Sequence, residues 1–249
     1  MRKNPGPAMA SRRTRLLAEF SGTYLLVLVG PGTAIALSYA KGLSALESLT
    51  IIALSFGTVV GVVISLFGKI SGAHIDPAIT VAHAVYGKNS RDMITPYVSV
   101  QILGAVLAGL TLRLIFGSST YIGSTKLASG LSVPAGILFE AIGTFVLACS
   151  GFIASRKIHN RGGEAVFIGT VLFLIILVLA PLTNASVNPA RSLGPALASW
   201  YLTNLYVYML GPTIGGLAAG LVFRYADGKQ IEEEFLSQRS EIAQTIIAD

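Results

Sequence analysis

The sequence predicts an all-α membrane protein with six transmembrane helices, two re-entrant half-helices and an inverted 3+3 repeat. Of its 249 residues, 53% are hydrophobic and only 12% are charged, which is far more apolar than a soluble domain of this length requires. Six apolar runs are long enough to cross the hydrocarbon of a bilayer, which takes roughly 20 helical residues. A short motif ending in Pro-Ala occurs once in each half of the chain.

The apolar runs are predicted to be helices rather than strands. They cover residues 16–40, 50–68, 95–117, 135–154, 164–182 and 204–225. A membrane barrel would show segments of about ten residues that alternate between apolar and polar. The run "VLFLIILVLA" is instead apolar at every position, so six membrane-spanning helices are expected.

Basic residues predict the orientation in the lipid bilayer. They precede span 1, or lie between spans 2 and 3 and between spans 4 and 5: Arg2, Lys3, Arg12, Arg13, Arg15, Lys69, Lys88, Arg91, Arg156, Lys157 and Arg161. The opposite loops carry only Lys41 and Lys126 before Arg191. Both termini are therefore expected to face the cytoplasm, in a multi-pass protein of the cell membrane. The concentration of basic residues on the cytoplasmic side accounts for the net charge of +6. No nucleic-acid partner is predicted, because basic patches interleaved with aromatic residues are absent.

The sequence lacks the motifs that are typical of secreted proteins, metal-binding proteins and enzymes. The first fifteen residues are too polar for a signal peptide. Cys149 is the only cysteine, so neither an intrachain disulfide nor a cysteine metal cluster is expected. No nucleophile with a base at motif spacing and no phosphate-binding turn is present, so we predict no enzyme, no cofactor and no metal site. The acidic end is predicted to be a solvated tail or a surface helix.

The two halves of the chain are similar in sequence. "AEFSGTYLLVLV" aligns with "FEAIGTFVLACS", which places Glu19, Gly22 and Thr23 on Glu140, Gly143 and Thr144. Each unit holds three spans, an odd number, so the second copy starts on the opposite face of the membrane. The prediction is one channel domain over residues 1–249, with repeat one at about 16–117 and repeat two at about 135–225.

Each Pro-Ala motif is predicted to begin a half-helix. "PAITVAHAVYG" and "PARSLGPALASW" hold roughly ten helical residues each, which reach only about 15 Å, or half the bilayer. Asp76 and Asn188 are suited to N-caps, and Pro77 and Pro189 to the first turn. Two such N-termini meeting at the midplane would repel cations and offer hydrogen-bond donors to neutral polar molecules.

The chain resembles the aquaporins, the major intrinsic protein family, from about Ala18 to Tyr225. The resemblance is carried by the two Pro-Ala boxes, the two Glu-x-x-Gly-Thr openings and Arg191 directly after the second box. "SGAH" and "SVNPARSLGPAL" are most similar to the nodulin-26-like and related prokaryotic branches, members of which pass water, glycerol or metalloid hydroxides. The resemblance implies a homotetramer with one pore per subunit. The centre of each pore would be formed by Asp76, Pro77, Ala78, Asn188, Pro189 and Ala190.

The resemblance also implies a selectivity filter near the extracellular mouth, formed by Phe56, Ile176, Ala185 and Arg191. Strict water channels usually carry histidine where this chain has Ile176, so a wider and more apolar opening is expected. Ser192 and Ala196, by contrast, are typical of water channels rather than glycerol channels. Water is the expected solute, and small uncharged solutes such as glycerol remain an alternative. A surface role for Arg191 is the other interpretation, and its position after the box favours the filter.

Asp76 departs from the asparagine usual in the family. An ionised aspartate only accepts hydrogen bonds, whereas asparagine also donates them. Burial favours the neutral acid and the half-helix N-terminus favours the anion. The favoured interpretation is an N-cap that leaves conduction intact. A channel made ion-leaky or proton-leaky by Asp76 and a non-conducting membrane structural protein are the alternatives.

Three further polar residues have two interpretations each. Glu19 and Glu140 are either an ion site or structural acceptors for the re-entrant loops, and their matched positions favour loop support. His74 is expected to be a packed loop histidine, with a pH-sensitive pair with Asp76 as the alternative. No role is assigned to His83.

Overall fold

The computed structural model describes residues 10–88, 91–117 and 123–248, with side chains as far as residue 228. Within these ranges the chain forms eight α-helices: α1 (Arg12–Ser38), α2 (Ala45–Phe67), α3 (Pro77–Tyr86), α4 (Ile94–Phe116), α5 (Val133–Lys157), α6 (Arg161–Thr183), α7 (Pro189–Ser199) and α8 (Leu205–Ala248). A short 3-10 turn, Arg91–Met93, leads into α4. The all-α prediction is confirmed. Arg2 and Lys3, used above for orientation, lie outside the described residues.

Six of the described helices are long and apolar enough to cross a bilayer: α1, α2, α4, α5, α6 and the Leu205–Gly228 part of α8. All six predicted spans are confirmed, but α1 and α2 begin earlier than predicted. The Ser11 hydroxyl caps α1 by accepting from the Thr14 N–H at 3.2 Å, and Ser44 and Glu47 form a capping box on α2. These polar first turns lie outside any apolar window, so hydropathy alone missed them.

The chain after the sixth span remains helical. The sequence predicts a tail or a surface helix there, and the backbone instead continues α8 without interruption to Ala248. Residues 229–248 contain neither glycine nor proline and include four glutamates and three glutamines. Strong helix formers with no breaker allow a helix to continue past the membrane boundary.

The two half-helices lie where the Pro-Ala motifs predict them. Helix α3 has 10 residues and α7 has 11, and each begins with proline after an Asp76 or Asn188 cap. Helix α3 ends at Gly87 with φ 90°, and α7 ends at Trp200 with φ 60°. Both end residues adopt the left-handed conformation that commonly terminates a helix.

The helix contacts repeat between the two halves. Helix α1 packs against α2 and α4, just as α5 packs against α6 and α8, and α2 packs against α6 to join the repeats. Half-helix α3 packs against α8, and α7 packs against α4. Each half-helix therefore lies against the third long helix of the opposite repeat, as an inverted duplication predicts.

The crossing of α2 and α6 depends on a glycine pair. A Cβ added to Gly57 would lie 2.5 Å from the Gly169 carbonyl oxygen, and a Cβ added to Gly169 would lie 2.5 Å from the Gly57 oxygen. Such distances leave no room for a side chain on either residue. Small residues at this crossing therefore set the distance between the repeats.

Candidate functional site

The caps of the two half-helices bring the repeats together. Asp76 Oδ1 accepts from the Ala78 N–H at 2.7 Å, and Asn188 Oδ1 accepts from the Arg191 N–H at 3.0 Å. Asn188 Nδ2 also donates to the Ile75 carbonyl oxygen at 2.8 Å. The N-termini of α3 and α7 are thus directly connected, with their unpaired N–H groups and positive dipole ends in the same region.

Glu19 of α1 holds the loop before α3. Its Oε1 accepts from the Ser71 hydroxyl at 2.5 Å and from the His74 N–H at 3.0 Å. Its Oε2 accepts from the Ile75 N–H at 2.7 Å and from Gln101 Nε2 at 2.8 Å. Glu19 is fully buried, so these four bonds satisfy a carboxyl group that has no access to solvent.

Glu140 of α5 holds the loop before α7 in the same way. Its Oε1 accepts from the Thr183 hydroxyl at 2.6 Å and from the Ser186 N–H at 2.9 Å. Its Oε2 accepts from the Val187 N–H at 2.6 Å. The structure therefore places both glutamates as acceptors for re-entrant loops, which is the arrangement that loop support requires.

Both loops contain several residues in the left-handed conformation. The φ angles are 49° at Ala73, 47° at Ile75, 44° at Ala185 and 44° at Val187. Such angles are uncommon for residues other than glycine, and most strained for a β-branched residue. The glutamate hydrogen bonds lie next to these residues and offset the cost of the strained backbone.

A cavity of about 230 Å³ runs past the junction of the half-helices. Seven of the predicted site residues line it: Phe56, His74, Asp76, Ile176, Ala185, Asn188 and Arg191. The other six predicted site residues are buried but do not line the cavity: Glu19, Pro77, Ala78, Glu140, Pro189 and Ala190. The cavity extends from Arg191 past both caps to Arg161 and Glu164 at the start of α6.

The four predicted filter positions all line this cavity. The Arg191 Cζ atom lies 5.2 Å from the centroid of the Phe56 ring. Arg191 Nη1 donates to the Gly123 carbonyl oxygen at 2.9 Å, which fixes the guanidinium in place. Ile176 and Ala185 complete the wall with apolar atoms. A buried cation beside an aromatic ring therefore borders the cavity, which two apolar side chains also line.

The family model described as "Major intrinsic protein" matches residues 8–223 of this chain. The chain belongs to the major intrinsic protein family. It is thus a multi-pass membrane channel of the aquaporin type and not an enzyme, and the predicted resemblance is confirmed.

Curated relatives and a solved structure agree with this membership. Aquaporin NIP1-1 of Arabidopsis thaliana is 36% identical over 228 residues, which are 86% of this chain and 74% of the relative. Nodulin-26 of Glycine max is 33% identical over 219 residues, 86% of this chain and 79% of the relative. The aquaglyceroporin from Plasmodium falciparum has the same fold, with a TM-score of 0.76 and 21% identity over 86% of this chain and 95% of that one.

Two stacked histidines line this channel on the far side of Asp76 from Arg191. The rings of His74 and His83 stack with their centroids 4.2 Å apart. The His83 ring also packs edge-on against the Phe152 ring, with 4.9 Å between the centroids. His74 Nδ1 lies 3.2 Å from the Thr80 hydroxyl. Both rings therefore have defined positions in the wall.

The far end of the cavity carries an ion pair. Arg161 Nη1 donates to Glu164 Oε2 at 2.5 Å within the first turn of α6. Near this end, Tyr86 at the end of α3 donates to Asp227 Oδ2 at 2.5 Å, and Arg156 bonds to both of these side chains. The end of α3 is thus tied to α5 and α8.

Sequence reasoning left His83, Arg161 and Glu164 without a role in the cavity. His83 follows Asp76 by seven residues, which is two turns of a helix. That spacing was the available signal for a shared pore face. Arg161 and Glu164 are separated from the Pro-Ala motifs in sequence, and no local pattern places them at the same cavity.

Proposed function

We propose that this channel passes water by passive diffusion through one pore per subunit, and that it also admits small uncharged solutes such as glycerol. The observation that carries the proposal is the cavity shared by the caps of α3 and α7 and by Arg191. Half-helices from opposite repeats contribute to the same cavity, so both halves of the fold would form the pore.

The charges around the cavity favour neutral solutes. The positive dipole ends of α3 and α7 face the middle of the path, and the Arg191 cation lies at one end. A cation entering this path would leave its hydration shell next to positive potential. A neutral molecule instead gains hydrogen bonds from N–H groups such as those of Asn188 and Arg191.

The filter supports a solute range wider than water. Ile176 and Ala185 line the same cavity as Arg191 with apolar atoms, which suits the carbon atoms of a small polyol. The solved relative is described as an aquaglyceroporin, which supports the same proposal. Ser192 and Ala196, which are typical of water channels, favour water as the principal solute.

The proposal includes a homotetramer in the plasma membrane with both termini in the cytoplasm. Basic side chains near one end of the bundle support this orientation: Arg12, Arg13, Arg15, Lys69, Lys88, Arg156 and Lys157. Labelling of single cysteines introduced at Lys41 and at His159, each together with Cys149→Ser, in intact cells tests it. We expect only the residue 41 variant to react with an impermeant reagent.

The second candidate function is a proton-leaky or ion-leaky channel. Asp76 favours it, because this carboxyl group lines the cavity at its centre and is only 2% exposed. A negative charge there would lower the positive potential of the half-helix ends. Current across a bilayer that disappears in an Asp76→Asn variant would support this candidate over the first.

The experiment that tests the proposal is osmotic shrinkage of proteoliposomes in a stopped-flow instrument, first with sucrose and then with glycerol. An Ala185→Trp variant should block the cavity, because Ala185 is 1% exposed and lines it. Leu210→Trp is the matched control, since Leu210 is 50% exposed on the outside of α8. Fast shrinkage in the parent and control but not in Ala185→Trp is expected, and equal rates in all three would overturn the proposal.

A further inference from the structure

The end of half-helix α3 shares a closed ring of hydrogen bonds with two other helices. The Tyr86 hydroxyl donates to Asp227 Oδ2 at 2.5 Å. Arg156 Nη2 donates to the Tyr86 hydroxyl oxygen and to Asp227 Oδ1. Tyr86 belongs to α3, Arg156 to α5 and Asp227 to α8, and these three residues are called the latch below. Each member bonds to the other two, so the loss of one side chain breaks two of the three contacts.

Aromatic rings hold the cation of the latch in place. The Tyr86 ring is only 8% exposed, and Arg156 Cζ lies 5.4 Å from its centroid. Lys88 Nζ lies 5.0 Å from the same centroid. Arg156 Cζ also lies 4.9 Å from the centroid of the Phe223 ring. Cations are attracted to the faces of aromatic rings, so Arg156 is fixed by ring contacts as well as by hydrogen bonds.

One ring connects the latch to the cavity. Phe152 of α5 packs edge-on against the Tyr86 ring, with 4.8 Å between the centroids, and in the same way against the His83 ring at 4.9 Å. Phe152 is 1% exposed, and a ring in a close-packed interior cannot turn without displacing its neighbours. His83 lines the cavity and precedes Tyr86 by three residues on α3. A shift at the end of α3 therefore moves the His83 ring in the wall of the path.

The start of α3 has a restraint of its own, which does not reach this end. Asp76 caps the first turn. The 10 residues of α3 correspond to about 15 Å of helix, so the cap leaves the far end to be positioned by other contacts.

We propose that the latch positions the pore wall: Tyr86, Arg156 and Asp227 hold the end of α3 so that the His83 ring stays beside the path. When the latch is broken, the end of α3 shifts and the His83 ring obstructs part of the path. The inference rests on the proposed function, because it assigns positioning residues to a channel that passes water.

The test measures the osmotic water permeability of proteoliposomes by stopped-flow light scattering, at equal amounts of protein per vesicle. Tyr86→Phe removes the hydroxyl and keeps the ring against Phe152. Asp227→Asn replaces an accepting oxygen with an NH₂ group. Each variant should lower water permeability about threefold, which matches the modest free energy of a partly exposed ion pair. Arg224→Gln is the matched control and should equal the parent, since Arg224 is exposed on α8 and does not line the cavity.

A second background separates positioning from stability. In His83→Ala there is no ring to obstruct the path, so Tyr86→Phe and Asp227→Asn should leave the water permeability of this background unchanged. A role in stability alone would lower the permeability equally in both backgrounds. His83→Ser takes the place of His83→Ala if the latter fails to fold, and either latch variant that folds is sufficient.

The outcomes separate this inference from the proposed function. Parent-like permeability in both latch variants would overturn the inference and leave the proposed function standing. An equal loss with and without His83 would do the same, because the latch would then act on stability alone. Absence of water flux in the parent would overturn both.

Discussion

The Asn188 side chain joins the two repeats by donating from Nδ2 to the Ile75 carbonyl oxygen at 2.8 Å. At the same time its Oδ1 caps α7 by accepting from the Arg191 N–H at 3.0 Å. Asparagine is suited to this position because one short side chain supplies both a donor and an acceptor. The first box, where Asp76 stands, uses only an acceptor for its cap.

Asn188→Asp should destabilise the protein. The variant keeps the cap on α7 but loses the donor to Ile75, and it places a carboxylate oxygen near a carbonyl oxygen. We expect a loss of about 2 kcal/mol in unfolding free energy, the cost of an unpaired buried group, measured by thermal unfolding in detergent. Asn160→Asp is the control, because Asn160 caps α6 through Oδ1 alone. Equal losses in both variants would contradict the account.

Glu140→Gln should also lower stability. The glutamate accepts hydrogen bonds from Thr183, Ser186 and Val187. In the glutamine variant, an NH₂ group would face one of these N–H or O–H groups, and that hydrogen bond would be lost. We expect a loss of about 2 to 3 kcal/mol, measured as a lower Tm in detergent. Glu47→Gln, in an exposed capping box, should cost less than about 1 kcal/mol. A Tm equal to that of the parent would show that the loop does not depend on this carboxyl group.

Much of the fold could be predicted from local signals. Six apolar runs predict six helices, and a cap residue before proline predicts where α3 and α7 begin. Helix ends were less predictable, because the polar turn at Ser44 and the continuation of α8 to Ala248 lie outside apolar windows. Local chemistry fixes where a helix starts, whereas its extension past the membrane depends on the absence of a breaker.

The site could be predicted only in part. The matched positions of Glu19 and Glu140 in the repeats predicted equivalent surroundings for both. The left-handed φ of Ile75 could not be predicted, because a β-branched residue opposes that conformation and tertiary hydrogen bonds decide it. The contact of Gly57 with Gly169 joins residues far apart in the chain, and no local pattern pairs them.

Arg191→Val should weaken the exclusion of cations. The change removes the positive charge beside Phe56 and frees the Gly123 carbonyl oxygen that Arg191 Nη1 contacts. Less positive potential and one more acceptor both lower the barrier to a cation. We expect at least about a tenfold rise in cation conductance, which corresponds to about 1.4 kcal/mol, measured in planar bilayers. Arg113→Met, which removes a charge at the end of α4, should leave conductance at the parent level; a rise in both would assign the effect to net charge.

Mercury should not block the parent channel through the filter. Position 185 carries alanine, and Cys149, the only thiol, is not among the residues that line the cavity. Ala185→Cys should create a block of water flux by mercuric chloride that a thiol reagent reverses, since Ala185 lines the cavity. Strong, thiol-reversible block of the parent that vanishes in Cys149→Ser would show that Cys149 controls the path.

Water flux without proton entry is the most direct test of the central claim, that a channel with Asp76 at its centre passes neutral solutes only. Proteoliposomes that contain a pH-sensitive dye are mixed with sucrose or exposed to a pH step, for the parent and for Asp76→Asn. We predict fast shrinkage with no change in dye signal beyond that of protein-free vesicles in both proteins. Proton entry in the parent that disappears in Asp76→Asn would contradict the claim and establish Asp76 as a path for protons.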